Sequence, residues 1–200
     1  MKHRLNINFV AHVGQRQSFA SYLNSYEQAV KRLFDDIVSG KESVDLIAPP
    51  LLFLMRHSLE LGYKFTLWEL HQINEDAYNL KAYGNHKLPD LHAALRVQHA
   101  KAIAKYDLPD SHIENFNDYC MKTEAAMKIF DQLDFDSFSF RYPLDKKGSP
   151  NLPHDEKVDL AALKQTFDDA MILLRHTTDV LGEYVDIRRW MDAEARSNYF

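Results

Sequence analysis

From Leu51 to Glu75 the chain reads LLFLMRHSLELGYKFTLWELHQINE, and no other stretch constrains the fold as much. It follows Ala48-Pro49-Pro50, and proline is at home in a first helical turn, where its missing N–H had no partner to lose. The only weak helix former inside is Gly62, at a cost of about 1 kcal/mol against alanine. At about 100° per residue, Arg56, His57, Glu60, Lys64, His71 and Glu75 fall on one narrow stripe. Leu51, Leu52, Leu54, Met55, Leu59, Leu61, Phe65, Trp68 and Leu70 cover most of the remaining circumference. A surface helix carries an apolar stripe on a polar cylinder. This segment inverts the pattern and is predicted to sit at the centre of the fold. Its charges must then pair with one another or line a cleft, because an unpaired buried charge is prohibitive. Arg56–Glu60 and Glu60–Lys64 are i,i+4 neighbours, so the stripe can close on itself as a ladder.

The elements on either side are also mostly helical. Phe19, Tyr22, Leu23, Tyr26, Val30, Leu33, Phe34 and Ile37 form one face of a helix from about Ser18 to Val38, closed by Gly40. Residues 40–47 connect it to the central helix, which fades between 75 and 80. AYGNHKLPD (82–90) is a turn by composition. A third helix runs from Leu88 or Pro89 to Tyr106, and a fourth from an Asp110 or Ser111 cap to Leu133. Asp159 caps a last helix with Leu163, Phe167, Met171, Leu174, Leu181 and Val185 inward; it ends near 190 and leaves a loose tail to Phe200. Two segments alternate with strand period: Leu5, Ile7, Phe9, Ala11 and Val13, and Phe138, Phe140 and Tyr142. The expected fold is all-α, a five-helix bundle in one domain (1–200), with a short two-stranded β accessory pairing 5–13 with 138–142. The second of these strands would lie in the irregular stretch 134–157, long enough to be a functional loop.

Composition narrows the chemistry. A net charge of −5 sets up no global basic field for nucleic acid. Cys120 is the only cysteine, and it shares a helix face with Ile113, Phe116 and Met127, which makes it a small buried hydrophobe. The longest apolar run, Leu51–Met55, is far below the length of a membrane span, and MKHRLNINF is no signal peptide; both point to a cytoplasmic protein. His57-x-x-Glu60 and His71-x-x-x-Glu75 share one face, but the Glu-x-x-His pairs of di-iron bundles are missing. His86, His92, His99 and His112 read as lying on turns or outward faces, so no metal and no cofactor is expected. No GxxxxGK, GxGxxG or GxSxG occurs.

The string FLMRHSLELGYK (53–64) followed by NHKLPDLHAAL (85–95) resembles the HEPN-like helical proteins of bacteria and their mobile elements. In these an RH-x-x-E-x-x-x-K helix precedes a turn and H-x-L-x-x-L, matched here by Arg56, His57, Glu60, Lys64, His86, Leu88 and Leu91. Phe140-Arg141-Tyr142-Pro143 resembles the FRYP segment of the same group, and the resemblance spans roughly 50–175. It implies a helical bundle, often a homodimer, of a defence, toxin–antitoxin or mobile-element system. Such a protein is either a metal-independent RNase or a module binding nucleic acid or a partner protein, the latter encoded by a neighbouring gene. The catalytic branch places arginine and histidine four to six residues apart. Arg56-His57 and Arg175-His176 are adjacent here and Arg96-x-x-His99 is too short, so no catalytic residue is carried over.

The expected binding residues are Arg56, His57, Glu60, Lys64, His86, Arg141 and Tyr142. His57, Lys64 and Arg141 are the candidates for an atypical RNase site, since phosphodiester cleavage needs a group titrating near neutrality and a cation. In the structural alternative His86 caps the third helix and Arg141 anchors the loop on Glu60, and a plain scaffold or regulatory subunit would leave the stripe fully self-paired and solvent-free. In either case Glu60 is expected to be buried and bonded to at least one of Arg56, Lys64 or Arg141. Arg175 and His176 are expected at the surface or at a dimer interface, the latter favoured by a load of 12 Phe, 10 Tyr and 2 Trp.

Overall fold

The computed structural model describes residues 11–12, 14–15, 17–134, 138–152 and 157–197. These form six helices: α1 (Phe19–Val38), α2 (Val44–Asn74), α3 (Leu80–Tyr83), α4 (Leu88–Tyr106), α5 (Asp110–Leu133) and α6 (Leu160–Ser197). No strand occurs among the described residues. The α2 helix packs against α1, α4 and α6, while α5 packs on α6 and α4. Leu51, Leu52, Met55, Leu59, Leu61, Tyr63, Leu67 and Leu70 are all buried, on every side of α2. At about 1.5–3 kcal/mol per fully buried large side chain, this helix supplies much of the core.

α2 begins at Val44, about one turn before the expected start, so Pro49 and Pro50 lie inside it. Each proline removes a hydrogen bond to the carbonyl four residues back. Those carbonyls belong to Asp45 and Leu46, both exposed, so water can serve them. Ile47 and Ala48 meanwhile pack on the core, which holds the extra turn in place. The helix ends at Glu75 in the left-handed region (φ 58°), with the Asp76 N–H returning to the His71 carbonyl at 3.0 Å.

Gly62 is more than a tolerated weak point. A Cβ built there would come within 3.0 and 3.1 Å of Leu174 Cδ1 and Cβ and 3.2 Å of Met171 Cε. The missing side chain lets α2 and α6 approach closely. One turn on, the Thr66 hydroxyl lies 2.9 Å from the Gly62 carbonyl and 2.7 Å from the Leu174 carbonyl of α6.

The β accessory is corrected. Residues 1–10 and 13 of the first expected strand lie outside the described residues. Phe138–Tyr142 is a turn, with the N–H groups of Arg141 and Tyr142 both donating to the Phe138 carbonyl (3.1 and 3.2 Å). The cause is Asp134: its Oδ1 accepts from the amides of Phe138 (2.6 Å) and Ser139 (2.7 Å) and winds the chain before it can extend. An isolated bridge between Leu144 and Pro150 is the nearest approach to β structure.

Other boundaries shift less. Pro109 occupies the cap position of α5 and Asp110 its first turn. Asp159 caps α6 as expected, accepting from Ala161 and Ala162 at 3.0 Å each. That helix continues through the expected loose tail to Ser197. The one-turn α3 lies across the start of the expected break, its Ala82 amide capped by Asn79.

Candidate functional site

The polar stripe of α2 is built from i,i+3 and i,i+4 steps, which stack Phe53, His57, Glu60 and Lys64 along one line of the helix. Arg56 sits beside that line, 0% exposed. Its Nε donates to the Asp134 carbonyl (2.8 Å) and its Nη2 to the His86 carbonyl (2.8 Å). The carboxylate oxygens Glu60 Oε2 and Asp134 Oδ2 face the guanidinium at 3.5 and 3.7 Å, as ion pairs. One side chain thus ties α2 to the turn before α4 and to the segment after α5.

Glu60, 2% exposed, is the second knot. Its Oε1 accepts from Lys64 Nζ at 2.8 Å and lies 2.9 Å from His86 Nδ1. Burial alone pushes its carboxyl up, but the hydrogen bonds and charges of Lys64 and His86 outweigh burial and hold it below the ordinary range. Burial lowers the Arg56 guanidinium, with Asp134 and Glu60 opposing the shift. Both groups remain ionised in a closed network. The stripe is therefore self-paired at Arg56 and Glu60, and neither is placed to touch a ligand.

The rest of the expected residues are brought together on the outside of this network. The His57 ring lies parallel to Phe53 (centroids 5.8 Å, 4° between planes) and edge-on to Tyr26 (4.6 Å, 74°). The Arg141 guanidinium stands 5.8 Å from the Phe53 ring, 6.0 Å from Phe138 and 5.9 Å from Tyr142. Phe138 stacks on Tyr142 at 4.5 Å. The result is a run of rings, Tyr26–His57–Phe53–Arg141–Phe138–Tyr142, from α1 across α2 to the 138–142 turn. Arg141 and Tyr142 are exposed, His57 is half-buried, and the His86 side chain is 63% exposed at the edge. Burial lowers the His57 pKa, and the charges of Lys64, His86 and Arg56 lower it further against Glu60, so the ring is neutral near pH 7.

Two expected roles change. His86 does not cap α4, whose cap position is Lys87 without a side-chain bond; His86 is instead held to α2 by Glu60. The anchor of the 138–142 segment is Arg56 on Asp134, with Arg141 lying over the rings. Arg175, placed at the surface or an interface from sequence, is half-buried and pairs with Glu27 of α1, while His176 is exposed beside Asp179 (3.2 Å).

Three buried polar clusters were not anticipated. His92, His99 and His112 are buried, where turns or outward faces were expected. Tyr63 Oη lies 3.0 Å from His92 Nδ1, and His92 Nε2 lies 3.8 Å from the buried Cys120 Sγ. The Nε2 atoms of His99 and His112 lie within hydrogen-bond distance (3.0 Å), and burial holds the pKa of both down, that of His99 to about 3. His71 bridges Asp76 and Tyr83, the latter at 3.0 Å, and Lys101 also binds Asp76. The α4 sequence held the missing signal: Leu88, His92, Leu95, His99, Ala102 and Tyr106 recur at steps of four and three, the period of a buried seam. Among the described residues, no group of three or more His, Cys, Asp or Glu side chains is placed to hold a metal ion. No described helix is long and apolar enough to cross a membrane. Comparison with protein-family models, curated proteins and solved structures finds no match to this chain.

Proposed function

We propose that this chain is a HEPN-like helical binding module of a bacterial defence, toxin–antitoxin or mobile-element system, and that it holds single-stranded RNA without cleaving it. The observation that carries this reading is the half-buried run of rings that opens to solvent at Arg141 and Tyr142. Stacking of a base on an aromatic side chain contributes roughly 1–3 kcal/mol and tolerates any sequence, and an interleaved guanidinium adds a cation for the backbone. Tyr142, Phe138, Phe53, His57 and Tyr26 supply the stacking faces, with Arg141 and His86 as the polar contacts. Cleavage is not part of the reading, because Lys64 is engaged by Glu60 and the four-to-six-residue spacing of a catalytic arginine and histidine is missing.

The test is fluorescence anisotropy with labelled single-stranded RNA over a salt series, EDTA present. Binding should weaken linearly on a log–log salt plot. It should fall about tenfold or more in Arg141→Ala and in Tyr142→Ala, with the RNA left intact. No retention at low salt ends the RNA reading; cleavage that His57→Ala abolishes replaces it with the atypical RNase.

A partner protein or a second copy is the alternative occupant, favoured by the net charge of −5 and by the far end of α6. His112, near the start of α5, contacts Tyr184, so α6 continues past α5 with Ile187, Trp190 and Met191 exposed. The module is a homodimer in this account. Light scattering at micromolar concentration should read about twice the 23.3 kDa chain mass, and a monomer removes the second copy.

A further inference from the structure

Further along the face that α1 and α2 share, beyond Tyr26 and His57, lies a cleft of about 640 Å³ between the start of α1 and the middle of α2. Its walls are Phe19, Tyr22, Leu61, Phe65 and Trp68, and the one carboxylate among its lining residues is Glu69. The size falls within the roughly 300–1,000 Å³ of small-ligand sites. Two of the aromatic side chains are strongly exposed for their size, Trp68 at 40% and Tyr22 at 42%. Phe19 and Trp68 meet at 6.4 Å and 53°, and both contact Tyr78, at 6.1 and 5.1 Å, which braces them from behind. Their ring faces are inclined to one another and cannot all be filled by each other.

Among the described residues, the charge that acts most directly on Glu69 is of its own sign. Glu69 has no hydrogen bond or ion pair among the described residues. Asp179 of α6 is near enough to disfavour its ionisation, adding to the effect of partial burial. The arginine of that neighbourhood, Arg175, is taken by Glu27. An apolar guest would leave the Glu69 carboxylate desolvated and unpaired, and a strongly hydrated metal ion would find a single oxygen donor against aromatic walls. A cation carrying its own alkyl shell satisfies both, since ring faces are negative and the carboxylate complements its charge.

We infer that this cleft binds an alkylated ammonium group, seated on Trp68, Phe19 and Tyr22 with Glu69 as its counter-charge. The group can belong to a free quaternary amine or to a methylated lysine of another chain, and the chemistry of recognition is the same. This site is separate from the ring run and does not depend on the RNA reading.

Calorimetric titration of the full chain tests it with four probes: tetramethylammonium, choline, a trimethyl-lysine peptide, and 3,3-dimethylbutanol as the neutral isostere of choline. The inference requires saturable binding of at least one cation with Kd of about 1 mM or tighter, and binding of the isostere at least about tenfold weaker. Trp68→Leu should weaken the cation at least about tenfold, and Glu69→Gln about threefold to tenfold, each with an unchanged circular-dichroism spectrum. If Trp68→Leu does not fold, Tyr22→Ala, at an exposed position, takes its place with the same expectation. Binding of the peptide alone assigns the group to a partner chain; binding of choline or tetramethylammonium as well assigns it to a small molecule. Equal affinity for choline and its isostere, or no cation binding at about 10 mM, overturns the inference.

Discussion

At the scale of single residues, Glu60 has the most to lose. It is buried, ionised, and shared by Lys64, His86 and Arg56. Removing it leaves a buried guanidinium facing a cavity, and breaking a buried pair this way costs about 3–5 kcal/mol. Glu60→Ala should therefore lower the melting temperature by on the order of 10 °C in a chain of this size. An unchanged melting temperature would place Glu60 in solvent and sink the network. The pH behaviour has a defined sign. The folded carboxyl titrates below its ordinary 4.5, so its contribution is complete above that value and is lost as the pH falls through the lower, folded pKa. Half of this was legible in the sequence, because the i,i+4 ladder Arg56–Glu60–Lys64 lies within one helix. His86 and Asp134 were not, since they reach the same stripe from 26 and 78 residues away in the chain.

At the scale of the element, helix propensity and packing make opposite claims on Gly62. Propensity alone says that Gly62→Ala should stabilise α2 by about 1 kcal/mol. Packing says the opposite, because the new Cβ meets Leu174 Cβ at 3.1 Å, an atom held by its own backbone. Overpacking of this kind costs about 1–3 kcal/mol, so the net effect should be destabilising. A chemical-denaturation midpoint that rises in Gly62→Ala would show that α2 and α6 can separate without loss. The same contest explains the early start of α2. Two prolines mark a helix start when the chain is read alone, yet Ile47 and Ala48 find core contacts that hold the turn before them. Alternation of Phe138, Phe140 and Tyr142 likewise fits a strand until the Asp134 carboxylate takes the two amides that a strand would need.

At the scale of the whole molecule, four histidines are held neutral by burial: His57, His92, His99 and His112. Their folded pKa values lie below the ordinary 6.5, so the unfolded chain takes up protons first as the pH falls. Stability from this source is complete above about pH 6.5 and declines below it, for His99 down to its folded pKa of about 3. The melting temperature should fall between about pH 7.5 and about pH 5, and the decline should be shallower in His99→Phe. A flat profile over that range would show that these rings stay hydrated. The sequence by itself determined the helical class, the α1, α4 and α5 spans and the central place of α2, because periodicity and an all-round apolar surface are local properties of a chain. Only the tertiary structure decided what the polar stripe does. Whether buried charges form a cleft or a closed network depends on partners brought from the 84–87 turn and the 134–142 segment, and no spacing within one helix records where distant segments come to rest.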